Sequence, residues 1–444
     1  MSDATSQHGQ DVVQSVAMIS TRLQRWLASS PSSVFAAWAM GAAFATYFCM
    51  YAFRKPFAVG TYEGTVELPG IGPLDLKILF IISQVIGYAS SKFLGIKVVS
   101  ELEPHRRAGA ILAFIALAEV ALLLFAVIPT PYNAFALVLN GLPLGMIWGL
   151  VFGFLEGRKT SDLLGAGLCA SFIVASGFTK MTGKLLMDAG VPELWMPFFT
   201  GLVFFPPLLI VLWLLAHVPE PTEEDVQERT RREPMDAGAR RAFFRAYAPG
   251  LTLLIAGYVL LTAYRDFRDN FARELWDALG YAGEPSILTT AELPIALGSL
   301  LAIALVVRVR DNRNALQVIH GILITGAALT LGSTVLYQME IIGPAAWMIG
   351  VGLGLYLGYV PFNCVLFDRL VAAVGKAATA GFLIYVADAS GYLGSVALLL
   401  YKSLGQPELS WLDFFVGASY VTGIACAILF VASMQWFKRE SVRL

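Results

Sequence analysis

Apolar residues gather along this chain in twelve runs, at 33–57, 75–99, 107–128, 132–156, 163–187, 194–217, 249–271, 286–308, 315–338, 343–367, 377–401 and 411–436. Each is long enough for the roughly 20 residues that an α-helix needs to cross the hydrocarbon core. Short polar segments separate the runs, with one long exception. From Glu220 to Arg245 the chain is charged: Glu223, Glu224, Asp225 and Glu228 come first, then Arg229, Arg231, Arg232, Arg240, Arg241 and Arg245. This segment reads as a solvated linker, and it divides the runs six and six. The pattern predicts an all-α polytopic membrane protein, with twelve transmembrane helices in two pseudo-symmetric six-helix bundles. The expected divisions are a tail at 1–30, a bundle at 31–218, the linker at 219–246, a second bundle at 247–437 and a tail at 438–444.

Composition agrees with this pattern. Of the 444 residues, 57% are hydrophobic and 14% charged, and the mean hydropathy is +0.68, which excludes a soluble globular domain. A net charge of −1 gives no basic balance for nucleic acid. Cys49, Cys169, Cys364 and Cys426 stand isolated in apolar runs, without metal spacing or a disulfide framework. No His/Cys cluster, Walker loop, Gly-x-Ser-x-Gly elbow or zincin motif appears. We therefore expect neither an enzyme nor a cofactor. The first thirty residues lack a signal-peptide core, so the first apolar helix is expected to act as the membrane signal. With the N-terminus inside, 21 of the 31 Lys and Arg residues fall on the inner side. Both termini are then expected to be cytoplasmic, in the cell's inner (cytoplasmic) membrane.

Four runs carry polar stripes at helical spacing. Tyr47, Tyr51 and Arg54 share one face of the first run, with Lys55 beside Arg54. A cation within hydrocarbon costs about 2.5–3.5 kcal/mol on insertion scales. Two phenols beside it point to an anion site, while cations snorkelling at a helix end are the plain alternative. The second run holds Gln84, Tyr88 and Lys92. The seventh holds Tyr258, Thr262, Arg265 and Asp269, with Arg268 one turn beyond Arg265, and Asp266 and Asp269 able to neutralise one of the arginines. The eleventh holds Tyr385, Asp388 and Tyr392, with Asp388 placed to bind a proton or hold a cation. Glu292 is a weaker candidate of the same kind. Lys180, Lys184 and Asn363 are polar without an evident partner, and Glu156 with Arg158 fits a charge lock at a helix end.

The halves echo one another: Phe53-Arg54-Lys55-Pro56-Phe57 closes the first run and Phe267-Arg268-Asp269-Asn270-Phe271 the seventh. Repeat-built transporters place the substrate between their halves. Twelve spans, two halves and a central linker resemble the major facilitator superfamily over nearly the whole chain. Four segments resemble its organophosphate:phosphate antiporter branch: Tyr47-x3-Tyr51-x2-Arg54-Lys55-x-Phe57, Tyr88-x3-Lys92-Phe93, Gly145-Met146-x-Trp148-Gly149, and Lys376 to Phe382 followed by Gly391 to Ala397. The branch's fifth-helix histidine has no counterpart between Ser171 and Ser176. The loop from Gly95 to Arg107 lacks the superfamily's Gly-x3-Asp-Arg pattern, and an extra turn before Gly391 holds Asp388.

The resemblance implies a secondary transporter that moves a small anionic solute by exchange, organophosphate or phosphate first. Arg54, Lys92 and one of Arg265 and Arg268 would form a cationic cradle, with Tyr47, Tyr51, Tyr88 and Tyr392 lining the path and Asp388 and Asp269 in coupling. Its partners would be the solute and the lipid bilayer, and the protein would work as a monomer. Two rivals remain at this point: a proton-coupled transporter of another solute using Asp388, and a transporter-like membrane sensor without net transport.

Overall fold

The structure is a computed structural model, and it describes residues 22–70, 72–156, 161–221, 237–374 and 380–443. Most of the expected N-terminal tail, linker residues 222–236, Arg158 and Lys159 at the end of the fourth run, and the segment from Lys376 to Thr379 lie outside the described residues.

Twelve long helices form among the described residues. In the first half they are α1 (Ser32–Met50), α2 (Leu76–Glu101), α3 (Arg107–Val127), α4 (Ala134–Phe152), α5 (Ser161–Asp188) and α6 (Met196–Ala216). In the second half they are α7 (Ala237–Asn270), α8 (Glu292–Val307), α9 (Asn312–Gln338), α10 (Pro344–Cys364), α11 (Ala380–Leu400) and α12 (Trp411–Arg443). Among the described residues, ten helical stretches are long and apolar enough to cross a membrane, and α2 and α5 are not among them. Both have ample length, 26 and 28 residues. Within otherwise apolar runs, α2 carries Lys77, Gln84 and Lys92, and α5 carries Lys180 and Lys184. Polar side chains of both, Lys92 and Ser176 among them, face the middle of the molecule, as do those of α7 and α11.

Helix pairing repeats between the halves. In the first, α1 packs on α5 and α6, α2 on α4, and α3 on α4 and α6. In the second, α7 packs on α11 and α12, α8 on α10, and α9 on α10 and α12. Adding six to each first-half label gives the second-half pairs, which is the pseudo-symmetry expected from the sequence. Between the halves, α2 meets α11 and α5 meets α8. Glycine makes the tightest crossings possible. A Cβ on Gly87 of α2 would lie 2.0 Å from the Val138 carbonyl oxygen, and one on Gly141 of α4 would lie 2.3 Å from that of Gln84.

The outer faces stay apolar. On α8, Leu293, Leu297, Leu301 and Leu305 form one exposed stripe four residues apart, as a lipid-facing helix requires. Where an N-terminus has a polar cap the rule is local: the Asp311 carboxylate accepts from the Asn314 backbone N–H at 2.7 Å at the start of α9.

The first apolar run differs from the sequence expectation. The α-helix stops at Met50 rather than continuing to residue 57, and tight 3₁₀ turns cover Tyr51–Phe53 and Pro56–Val59. Pro56 explains the break, since it offers no N–H to continue the helical ladder, and Arg54 and Lys55 ahead of it are drawn to φ −119° and −100°. A two-stranded hairpin follows, β1 (Thr65–Leu68) antiparallel to β2 (Gly72–Asp75), with Thr65 opposite Asp75. Its turn depends on Gly70 and Gly72 at φ 78° and 99°.

Candidate functional site

Breaking α1 leaves main-chain carbonyls unpaired at membrane depth, where each must find a donor within the protein. Two amides supply them. The Gln84 side chain donates to the Arg54 carbonyl at 2.8 Å, and Asn140 donates to the Phe53 carbonyl at 2.9 Å and the Ala118 carbonyl at 3.0 Å. Gln84 is also bonded to Asn140 at 2.8 Å. The break is thus anchored to α2, α3 and α4, and it fixes where Arg54 emerges.

Arg54 emerges into a cavity of about 290 Å³ between the halves. Tyr47, Tyr51, Tyr88 and Lys92 line the first-half wall, and Arg265, Asp266, Asp388 and Tyr392 face them. The cavity extends past Gly95, Phe152, Glu156, Cys364 and Asp368, which lie at the ends of their elements nearest the linker.

At the far end the halves are tied by charge. Lys55 lies 2.5 Å from one Asp269 carboxylate oxygen, and Lys180 of α5 lies 2.6 Å from the other. The Ser176 hydroxyl donates to that second oxygen, and Lys55 donates to the Asn270 side chain at 3.2 Å. Lys77 pairs with Glu274, and Arg273 donates to the Val59 carbonyl at 2.8 Å. All these contacts cross from one half to the other. Among the described residues, the linker end is therefore the accessible side of the cavity and the far end the closed one.

Within the cavity most cations already have an anion. Arg265 bonds Asp266 at 2.6 and 3.0 Å and lies 4.3 Å over the Tyr359 ring. The second Asp266 oxygen accepts from Ser395 at 2.6 Å. Lys92 is 3.6 Å from Asp388, which also accepts from the Tyr258 hydroxyl at 2.6 Å. Arg54 is different. It is 7% exposed, its Nε has no hydrogen-bond partner, and no carboxylate among the described residues is within salt-bridge range of it. Its guanidinium is stacked 3.6 Å over the Tyr88 ring, a contact that supports a cation without neutralising it.

The sequence brought together Tyr47, Tyr51, Arg54, Tyr88, Lys92, Arg265, Asp269, Asp388 and Tyr392, and all of them line this cavity. Arg268 does not. It bonds Glu292 of α8 at 2.8 Å and the Met348 carbonyl at 3.2 Å. Of the two arginines on α7, Arg265 is the one at the cavity. Asp269, placed among the neutralisers of an arginine, serves Lys55 and Lys180 instead. Lys180, left without a partner in the sequence, finds one 89 positions away. Gln84, grouped with Tyr88 and Lys92 as one stripe, serves the helix break.

Residues 56–440 match the profile of a family described as "Family of unknown function (DUF5690)". The chain belongs to the DUF5690 family. No curated protein matches it. Among solved structures, the crystal structure of a D-xylose-proton symporter is similar at a TM-score of 0.61 and 14% identity, covering 90% of this chain and 97% of that one. At that identity the likeness speaks for the fold. This DUF5690 member is a multi-pass membrane protein with the all-α major facilitator fold.

Proposed function

We propose that this protein is a secondary transporter for a small anionic solute, working by alternating access between its two six-helix halves. The observation that carries the reading is Arg54: a buried guanidinium without an acidic partner among the described residues, at a cavity between the halves. Keeping such a charge in hydrocarbon is costly, and an anion entering from the linker side offsets that cost. A solute carboxylate or phosphate oxygen pair matches the guanidinium fork. The resemblance in four segments to the organophosphate:phosphate antiporters supports exchange rather than net flux. With the linker and both termini on the cytoplasmic side of the inner membrane, the cavity faces the cytoplasm, and one protomer suffices.

Liposomes holding purified protein and loaded with the solute test this, with wild type beside Arg54→Lys. Anion exchange in the wild type, lost in a folded Arg54→Lys protein, is the expected result. Unimpaired exchange in the variant refutes the role of Arg54.

One observation favours a second reading. Asp388 lies at the α2–α11 seam between Lys92 and Tyr258, where gain of a proton would release Lys92. The structural neighbour is itself titled a proton symporter. If Asp388 carries a proton, uptake follows an imposed pH gradient, and Asp388→Asn loses that response while still exchanging solute.

A further inference from the structure

The anion reading leaves open which anion, and the cavity's charge and walls narrow the choice. Arg265 is held by Asp266 at 2.6 and 3.0 Å, and Lys92 faces Asp388 at 3.6 Å. Lys55 is directed at Asp269 and Asn270. Although the cluster of Lys55, Lys180 and Asp269 has one positive charge in excess, its donors are already engaged at the closed end. A phosphate dianion placed on Arg54 would need a second cation and would have to displace a carboxylate to obtain one. A singly charged group needs only Arg54. Because Tyr88 covers a face of the guanidinium at 3.6 Å, its N–H edge remains for an in-plane, two-oxygen partner.

The walls describe the rest of the solute. An aromatic belt runs from one half to the other: Tyr47 to Trp148 at 5.1 Å, Trp148 to Phe172 at 6.1 Å, and Phe172 to both Tyr356 and Tyr359 at 6.2 Å. Tyr88 and Tyr392 make a second bridge at 5.5 Å. Such surfaces accept flat apolar rings, face or edge on. The side-chain amides that a hydroxyl-rich body would draw on beside the tyrosine hydroxyls are already engaged. Gln84 and Asn140 are committed to the break in α1, and Asn363 donates to the Tyr359 carbonyl at 3.2 Å. The cavity of about 290 Å³ is at the small end of ligand pockets, roughly 300–1,000 Å³, which suits a solute of one or two rings.

We propose that the solute of this site is a monocarboxylate with a flat apolar body, its carboxylate on the Arg54 edge and its body against Trp148 and Phe172. This rests on the anion reading of Arg54 and narrows it away from phosphate.

Calorimetric titration of purified full-length protein, at fixed ionic strength, tests it with benzoate, indole-3-acetate, acetate, succinate and inorganic phosphate. Both aromatic acids should bind at least tenfold more tightly than phosphate or succinate. Arg54→Gln should weaken them at least tenfold, and Trp148→Ala should remove most of their advantage over acetate. Asp266→Asn, by releasing Arg265, should raise phosphate affinity about tenfold. The ranking in wild type is decisive even if a variant misfolds. Phosphate or succinate binding as tightly as the aromatic acids overturns the monocarboxylate assignment; loss of that binding in Arg54→Gln would still leave the anion site standing. Aromatic acids that bind equally well to wild type, Arg54→Gln and Trp148→Ala are partitioning into detergent or protein at large, and that also overturns it. Absence of binding by every anion overturns both readings.

Discussion

Replacing Asp269 by Asn should open the far end of the cavity. Two ammonium groups share this carboxylate, Lys55 at 2.5 Å and Lys180 at 2.6 Å, and the Ser176 hydroxyl donates to it as well. An asparagine keeps the shape and removes the charge, leaving two buried cations facing an amide. Breaking a buried ionic group by removing one member costs about 3–5 kcal/mol. That cost falls on the arrangement in which the α1 end and α5 meet α7, and so on the far-end-closed state. At about 1.4 kcal/mol per factor of ten, the lower bound shifts the equilibrium roughly a hundredfold toward far-end opening. Val59 reports on it, being fully buried, with its carbonyl bonded to Arg273 at 2.8 Å. In a protein with its four native cysteines replaced, Val59→Cys should react with an impermeant maleimide from the far side roughly a hundredfold faster when Asp269→Asn is present. Combining Lys55→Met, Asp269→Leu and Lys180→Met should restore much of the protection, because exchanging a whole buried ionic group for apolar residues is often neutral. Labelling of the folded Asp269→Asn protein within about twofold of its parent would refute the reasoning.

Three further outcomes follow from the packing. Gly87→Ala should destabilise the protein by about 1–3 kcal/mol or more, since its Cβ would meet the Val138 carbonyl oxygen at 2.0 Å. Gly109→Ala, with nothing within 4 Å, should stay within about 0.5 kcal/mol in the same thermal unfolding series. Asn140→Ala should cost about 1–3 kcal/mol by orphaning the Phe53 carbonyl, and it should slow transport by loosening the segment that carries Arg54. Arg268→Met should lower stability by stranding Glu292, with Glu292→Leu added to recover it, while anion affinity stays unchanged; a large affinity loss would place Arg268 in the site after all.

Span order and the division into halves were readable because they depend on hydropathy, a property summed over twenty residues. The charged sides of the cavity were readable for a related reason. Tyr88 with Lys92 and Tyr385 with Asp388 stand out as polar groups at helical spacing within apolar runs. The break after Met50 was not readable from the apolar pattern, because apolar residues continue through Ala52, Phe53 and Phe57 while the backbone on either side of Arg54 tightens into 3₁₀ turns. Nor was the choice between Arg265 and Arg268. Three residues apart on a helix they differ by about 60°, too little for spacing to decide. The partners decide it: Glu292 on α8 draws Arg268 away, and Asp266 with the Tyr359 ring keeps Arg265 at the cavity. Lys180 was unreadable because its partner lies on another helix in the other half.

The internal echo acquires a physical meaning that the sequence alone did not supply. Aligning Phe53-Arg54-Lys55 with Phe267-Arg268-Asp269 makes Lys55 and Asp269 equivalent positions of the two repeats. Equivalent positions near a two-fold axis approach each other, and here they carry opposite charge and meet at 2.5 Å. One step earlier in each repeat, the equivalent arginines part company: Arg54 has no acidic partner among the described residues and lines the cavity, and Arg268 is spent on Glu292. A symmetric pair of arginines would have offered a solute two equal forks. Pairing one and leaving the other gives the site a single charged end, so that a bound anion has a direction relative to the two halves. The fold thus uses its repeat to close the far end and breaks it to build the site.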